Sequence, residues 1–412
     1  MFHAASDGLE SRLATGRPIS GYIGFDPSAP SLHIGHLVPI SGLIHLQRHG
    51  GRPVALVGGG TGMIGDPSGR SAERNLLDRE TLAANVVSIR AQLERFLDFS
   101  AGEGGARLAN NLDWLEEMTV IDFLRDVGKH FTVPYMLSKD SVQVRLERGL
   151  SYAEFSYMLL QSADFAHLHR TMGVELQMGG ADQWGNITAG LELIRRTTVG
   201  ADDHDPAYAL AYPLLLSPSG TKFGKSDTGD SIWLDAARTS PFAFFQHWLN
   251  TDDRDVGTYL RWFTTMTPDE IEALDAEVTA RPGARAAQRA LALDVTARTH
   301  GSEIARQAAE DSAALFAPDP IRDPALLERL HASVGGFAVP AGSVSEPVVA
   351  VLADAGVFPS RGEARRMIQN GGVTINGEPI RDPAAAMPAP LAGRWWEVRI
   401  GKRRRELGRL ED

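Results

Sequence analysis

Two short motifs far apart in the chain, His33-Ile34-Gly35-His36 and Lys222-Phe223-Gly224-Lys225-Ser226, carry groups suited to phosphate chemistry. Two imidazoles three residues apart share one helix face. At a helix N-terminus they add donors where the backbone already favours anions. Gly35 removes the side chain that would hold a purine or ribose away. A lone His-x-x-His is a weak signal, structural or metal-binding in other settings. Here it follows a strand and Asp26-Pro27 and opens a helix, which favours a nucleotide site. The two lysines lie in a Gly/Ser-rich loop. Such a loop is ordinarily a solvated turn. Directly after a strand, however, its lysines can neutralise charge developing on a transferring phosphate, and Gly220 and Gly224 let it close over a substrate.

A second group of residues suits a small polar ligand. Tyr157, Gln161 and Asp164 recur at i, i+4 and i+7 on a helix otherwise apolar at Phe155, Met158, Leu159 and Phe165. That stripe is either an exposed face or the wall of a pocket where an acid and a phenol grip a ligand. Gln177, Gly180, Asp182 and Gln183 follow another strand, and Asp66 is of the right type to accept from an ammonium.

The elements that must position these groups can be read from periodicity. Strands are expected over 19–26, 54–57, 174–178 and 212–217. Helices are expected over 33–49, 71–99, most of 119–170, and 188–196. A strand, a helix and a strand ending in Gly58-Gly59-Gly60-Thr61-Gly62 begin a Rossmann-like, doubly wound parallel α/β sheet, with ligands at the carboxyl ends of the strands. Pro39 falls inside the first helix, tolerable near its start because the early N–H groups lack partners. The division expected is a catalytic domain over 1–215 with a helical insertion at about 100–170. A lysine loop at 216–235, an α-helical domain at 236–325 and a flexible linker at 326–345 follow. A small α+β module occupies 346–412.

Bulk properties exclude several classes. The chain has 412 residues and no cysteine, so disulfides and cysteine-ligated metals are excluded and a reducing cytoplasm fits. No apolar run approaches bilayer length, and the N-terminus lacks a secretory pattern. A net charge of -11 argues against a general nucleic-acid coat, but residues 346–412 hold 11 Lys+Arg against 9 Asp+Glu. Arg394, Arg399 and Lys402 to Arg405 gather beside Trp395 and Trp396, which points to a polyanion touched by this module alone.

Taken together, the chain resembles bacterial tyrosyl-tRNA synthetase, a class I aminoacyl-tRNA synthetase. The resemblance is carried by Tyr22 to Pro27, Ser31 to His36, Gly62 to Gly69, Glu154 to Gln161, Gln177 to Thr188 and Lys222 to Ser226. Residues 346–412 resemble an S4-type RNA-binding module through Pro359 to Arg366 and Val373 to Gly377. The resemblance implies that tyrosine and Mg-ATP are substrates, with no protein-ligated metal, and that tRNA(Tyr) and a second copy of the chain are partners. It implies that Tyr22 and Asp164 bind the substrate phenol. Tyr157, Gln161 and Asp66 hold its amino group, with Gln177 alongside and Gln183 near the carboxylate. Gly24, Asp26, Ser28, Gly35, Gly180, Asp182 and His36 meet the nucleotide, and His33 the γ-phosphate. Lys222, Lys225 and Ser226, with Arg70 and Arg74, stabilise departing pyrophosphate. Arg361, Arg365, Arg366, Lys402, Arg403 and Arg404 contact tRNA. Rejection of phenylalanine follows from leaving Tyr22 and Asp164 unpaired, an effect for which the tyrosine enzymes are themselves the reference case. Ile23 stands where some relatives have a cysteine, Ser28 where some have threonine, and Arg70 where lysine is also found. A tryptophan enzyme is disfavoured by the Tyr22–Asp164 pair. A small nucleotidylyltransferase would need neither the helical region nor the last module, and the intact histidines and lysines argue against a non-catalytic RNA-binding scaffold.

Overall fold

The computed structural model describes residues 2–68, 77–100, 102–146, 149–198, 206–215, 223, 231–317, 319–401 and 404–411. They form two compact units, 1–238 with 252–287, and 239–251 with 288–412.

The first unit is built on a six-stranded sheet. Its strands are β1 (Ala4–Ala5), β2 (Ser20–Phe25), β3 (Arg52–Val57), β4 (Arg107–Asn110), β5 (Leu176–Gly180) and β6 (Tyr208–Tyr212), in the order β1-β6-β5-β2-β3-β4. All pair in parallel except β1, which runs antiparallel to β6. From β2 the chain steps outward through β3 to β4, then returns on the other side as β5 and β6. The order reverses between β2 and β5, where doubly wound sheets bind ligands. Tyr22 pairs with Val54 on one side and Gln177 on the other, so two expected site residues share one rung. Strands covered on both faces read as continuous apolar runs, and this is why β2, β3 and β5 are legible in the sequence.

The expected helix over 33–49 is a 3₁₀ turn, Ile34–His36, followed by an α-helix, Leu37–Arg48, with Pro39 in its first turn. The expected helix over 188–196 begins earlier, at Trp184, and runs to Thr197. The strand expected over 212–217 is displaced. It occupies Tyr208–Tyr212 and stops before Pro213, which has no N–H for the ladder. Leu216 and Ser217 lie outside the described residues.

In the second unit, helices Pro241–Leu249, Ser302–Leu315 and Pro324–Val334 precede a five-stranded sheet. Its strands are β7 (Phe337–Pro340), β8 (Val373–Ile375), β9 (Glu378–Pro379), β10 (Trp395–Ile400) and β11 (Arg404–Glu411), in the order β7-β11-β10-β8-β9. The stretch 326–345, expected as a flexible linker, holds a helix and a strand instead. Leu327 and Leu330 are fully buried in a core with Phe242, Leu315, Ile321, Trp395 and Leu407. The glycines that suggested flexibility serve packing. Gly335 ends the helix at a φ of 78°, and a Cβ on Gly336 would lie 2.1 Å from the Leu407 carbonyl oxygen.

The basic cluster near residue 400 is also partly internal. Glu397 is fully buried. Its Oε1 accepts from Arg399 at 2.6 Å and Arg405 at 3.0 Å, and its Oε2 from the Ile321 N–H at 3.1 Å. The same guanidiniums donate to the Ala317 carbonyl, Arg399 at 3.1 Å and Arg405 at 2.8 Å. These two arginines therefore fasten β10 and β11 to the chain leaving Leu315. Removing the shared acceptor leaves two partly buried cations without their carboxylate. Glu397→Ala should lower stability by about 3–5 kcal/mol, read as a fall in the denaturation midpoint.

Candidate active site

The carboxyl ends of β2, β5 and β6 open into a cavity of about 390 Å³. Tyr22, Gly24, Asp26, Ser28, His33, Gly35, His36, Asp66, Tyr157, Gln161, Asp164, Gln177, Gly180, Asp182 and Gln183 all line it, so residues from five separate stretches of sequence converge. Ile23 adds an apolar patch. Lys222, Lys225, Ser226, Arg70 and Arg74 lie outside the described residues, as do Lys402 and Arg403. Arg361, Arg365, Arg366 and Arg404 are exposed on the second unit.

At one end the cavity presents a phenol and a carboxylate. Tyr22 is buried, and its hydroxyl meets no hydrogen-bond partner among the described residues; the Gln177 Oε1 is in the same condition. Such atoms are costly unless something completes them. Asp164 accepts from Asn111 Nδ2 and Trp114 Nε1, each at 2.8 Å. Burial pushes its pKa up to about 7; the two donors oppose that rise, and the nearby Asp26 adds to it. Burial first, and Asp164 second, push the Tyr22 phenol well above its usual range, so it remains a neutral donor.

The middle of the cavity is acidic. Tyr157 donates to Asp26 Oδ2 at 3.0 Å, and Thr61 to Asp26 Oδ1 at 2.8 Å. Burial, then the Asp26 and Asp66 charges, push the Tyr157 phenol upward too. Asp66 is oriented by the Ser68 N–H at 2.8 Å and Gln183 Nε2 at 2.7 Å. Asn186 donates to the oxygens of Gln161 at 3.1 Å and Gln183 at 3.3 Å, which fixes how those amides face. Two carboxylates and amide oxygens along this part of the cavity suit an ammonium.

The other end is built for an anion. The Gly35 N–H donates to His33 Nδ1, and the His33 N–H to His36 Nδ1, both at 3.1 Å. Each Nδ1 is therefore an acceptor, which places the proton on Nε2 and makes each imidazole a donor there. A Cβ on Gly35 would fall 2.8 Å from His33 Cε1 and 3.0 Å from the Phe223 carbonyl oxygen, so only glycine fits. Phe223, in the middle of the lysine motif, is held by its N–H to the Leu215 carbonyl at 3.1 Å and by its ring against Phe263 and Tyr259. Beyond the motif, Ile34 and Leu234 donate to the carbonyls of Ile232 and Leu32 at 2.9 and 2.8 Å. The chain on either side of the lysines is thus tied beside the histidines.

Sequence reading missed Thr61, Asn111, Trp114, Asn186 and Tyr212. Asn111 follows β4, a strand too short and polar to show a period. Tyr212 ends β6, where the strand was placed too late. Asn186 lies within the stretch that carries the resemblance, but its spacing assigns it no role.

A doubly wound sheet whose cavity holds an imidazole pair with outward Nε2–H donors at one end and an acidic, phenol-bearing pocket at the other suits a nucleotide-dependent enzyme that also takes an ammonium-bearing substrate. Residues 14–317 match the family of tRNA synthetases class I (W and Y), and residues 346–385 match the S4 domain. The chain belongs to this class I synthetase family. It is 50% identical to the tyrosine–tRNA ligase of Anaeromyxobacter dehalogenans strain 2CP-1 over 408 residues, covering 98% of this chain and 95% of the relative. It is 50% identical to that of Geobacillus stearothermophilus over 401 residues, covering 97% and 94%. Among solved structures it is similar to a C-terminally truncated mitochondrial tyrosyl-tRNA synthetase from Coccidioides posadasii. That match has a TM-score of 0.67 and 32% identity, and covers 76% of this chain and 88% of that one.

Proposed function

We propose that the chain activates tyrosine with ATP and transfers it to tRNA(Tyr). The buried Tyr22 hydroxyl, without a partner among the described residues, in a cavity also lined by Asp164 carries this reading. The substrate phenol accepts from Tyr22 and donates to Asp164. Its ammonium sits among Asp66, Tyr157 and Gln161, and Gln177 and Gln183 border it. The ribose and adenine lie along Gly24, Asp26, Ser28, Gly35, Gly180 and Asp182. The tyrosine carboxylate oxygen attacks the α-phosphorus of ATP, which enters with magnesium on its phosphates. The bond to the β-phosphate oxygen breaks, giving tyrosyl-adenylate and pyrophosphate. His33 and His36, with Lys222, Lys225, Ser226, Arg70 and Arg74, neutralise the charge that accumulates on the leaving group. A ribose hydroxyl of the terminal adenosine then attacks the tyrosyl carbonyl and AMP departs. Positioning and charge stabilisation suffice, without a covalent enzyme intermediate. Tyrosine-dependent ATP–pyrophosphate exchange tests the first step. Exchange driven equally by tryptophan or phenylalanine would overturn it.

Of the division set out above we keep the catalytic domain, the lysine loop, the α-helical domain and 346–412 as the RNA-binding module of a cytoplasmic enzyme, while 326–345 is packed structure rather than a linker. No helix among the described residues is long and apolar enough to cross a membrane. Arg361, Arg365 and Arg366 are exposed on the helix Arg361–Gln369, whose Ala364 and Ile368 face the core. Arg361 pairs with Asp354 and Arg404 with Glu406. Arg365→Glu with Arg366→Glu should weaken tRNA binding and lower its log–log salt slope by about 2, measured by filter binding between low and physiological salt. Arg405, part of the basic cluster beside Trp395 and Trp396, is not counted among the tRNA contacts, because Glu397 engages it.

The insertion exposes Val120, Ile121, Val133, Val144 and Tyr152 in succession. So much exposed apolar surface in one segment supports a dimer interface there. Ile121→Asp should halve the mass seen by sedimentation; an unchanged mass would remove this face from the contact.

A further inference from the structure

Trp114 stands between a residue of the cavity and one outside it. Its Nε1 donates to Asp164 Oδ1 at 2.8 Å. Its ring stacks on the imidazole of His167, with centroids 4.3 Å apart and planes 11° from parallel. His167 lies three residues beyond Asp164 in the helix Tyr152–Met172, so both side chains leave the same side of that helix. The indole bridges them. The other donor to Asp164 is secured differently. Asn111 also donates to Thr61 Oγ1 at 2.9 Å and accepts from the Gly60 N–H at 2.7 Å, so its amide is held from several directions. Trp114 comes from a four-residue helix, Leu112–Leu115, which has little regularity of its own to fix a large ring. Trp114 also packs against the cluster of Tyr22, Val54, Leu56 and Phe165, and its face-to-face stack on His167 is the aromatic contact that bears on the plane of the indole, and hence on the direction of its N–H.

We propose that His167 is a positioning residue for tyrosine recognition, holding the Trp114 N–H on Asp164 without touching the substrate. The inference rests on Asp164 as the acceptor of the substrate phenol. A stacked aromatic pair biases an equilibrium by about two- to tenfold. Without the stack the indole turns away for part of the time. Asp164 then loses a donor to its charged form and keeps its proton to higher pH. The charges about this assembly are Asp26, which faces Asp164, and Arg170, which lies beside His167. Neither is altered by exchanging the imidazole for another flat ring.

The test is tyrosine-dependent ATP–pyrophosphate exchange on the full chain across pH 5.5–9. His167→Ala should raise KM for tyrosine about two- to tenfold with kcat within about twofold, and should move the acid limb of kcat/KM upward. His167→Phe, which keeps a flat ring, should restore both. Trp114→Phe, which keeps a ring but loses the N–H, should reproduce the alanine phenotype. The double variant should be no worse than Trp114→Phe, because one interaction cannot be lost twice. Unchanged KM and limb in His167→Ala, a phenylalanine variant as poor as alanine, or fully additive single effects would each overturn the proposal. If the alanine variant does not fold, His167→Leu fills the volume without a flat ring and carries the same outcomes. Asp164→Asn separates the two levels. A normal tyrosine KM there overturns the acceptor reading itself, whereas a defect there with a normal His167→Ala overturns only the role of His167.

Discussion

Replacing His33 and His36 together by alanine should slow tyrosine-dependent pyrophosphate exchange by about three to five orders of magnitude, while tyrosine affinity stays within about twofold. The reciprocal bonds from the Gly35 and His33 amides occupy both Nδ1 atoms, so each ring offers an Nε2–H donor and cannot turn to offer anything else. Donors fixed in place before charge develops cost no reorganisation during the reaction, and each is worth about 10²–10³ in rate. The pair falls short of the full product where one imidazole covers for the loss of the other. Tyrosine affinity is spared because the contacts proposed for the phenol and ammonium lie at Tyr22, Asp164, Asp66 and Tyr157 rather than at the imidazoles. Equilibrium dialysis with labelled tyrosine, beside stopped-flow measurement of the activation step, separates the two quantities. An affinity that fell in step with the rate would move the histidines into the amino-acid pocket. By the same reasoning Lys222→Ala with Lys225→Ala should cost rate and spare tyrosine affinity.

The second large effect is expected at Asp164. Asparagine there should reduce kcat/KM for tyrosine by about 10- to 150-fold at pH 8 and affect phenylalanine far less, since phenylalanine has no hydroxyl to pair. Discrimination between the two narrows by nearly the same factor. The pH profile gives an independent reading. With its pKa pushed up to about 7, Asp164 is protonated in acid and ionised above neutrality. kcat/KM reports the free enzyme, so it should rise through pH 7 to a plateau in the native chain and lose that limb in the variant. Stability should respond in the opposite sense. Between about pH 4 and 7 the unfolded chain has released this proton while the folded chain retains it, so rising pH favours unfolding. Asp164→Asn escapes that loss. Relative to the native chain it should gain up to about 4 kcal/mol on going from pH 4 to pH 8, seen as diverging urea midpoints. A flat difference curve would mean that Asp164 stays ionised throughout.

What could be read from the sequence follows the physics of each element. Strands buried on both faces, such as β2 and β3, announce themselves as apolar runs, and the residues at their ends were therefore placed within one cavity. The edge strands β1 and β4 are too short to show a period, so Asn111, which follows β4, was lost with it. Trp114 and His167 escaped for another reason. Neither reaches the cavity, and a stack between residues on different helices leaves no spacing signature. The tail was misread through its glycines. Gly335 and Gly336 look like loose chain, yet one ends a helix and the other admits a neighbouring strand at a distance no side chain allows. Charge misled similarly: Arg399 and Arg405 read as surface cations, and only the fold reveals the buried Glu397 between them.

The placement of β11 bears on the order in which the chain becomes a protein during its synthesis. The catalytic sheet is complete in its hydrogen bonding once Tyr212 has been made, because every strand it needs precedes that residue. The second sheet is different. β7 has β11 as its partner in that sheet, and the core around Leu327 and Leu330 takes Trp395 and Leu407 from the last two strands. Its helices emerge with their apolar faces uncovered and wait for the final stretch of polypeptide. A nascent chain stalled before about residue 404 would carry a finished nucleotide cavity and an unfinished second unit, the part left for chaperones to shield.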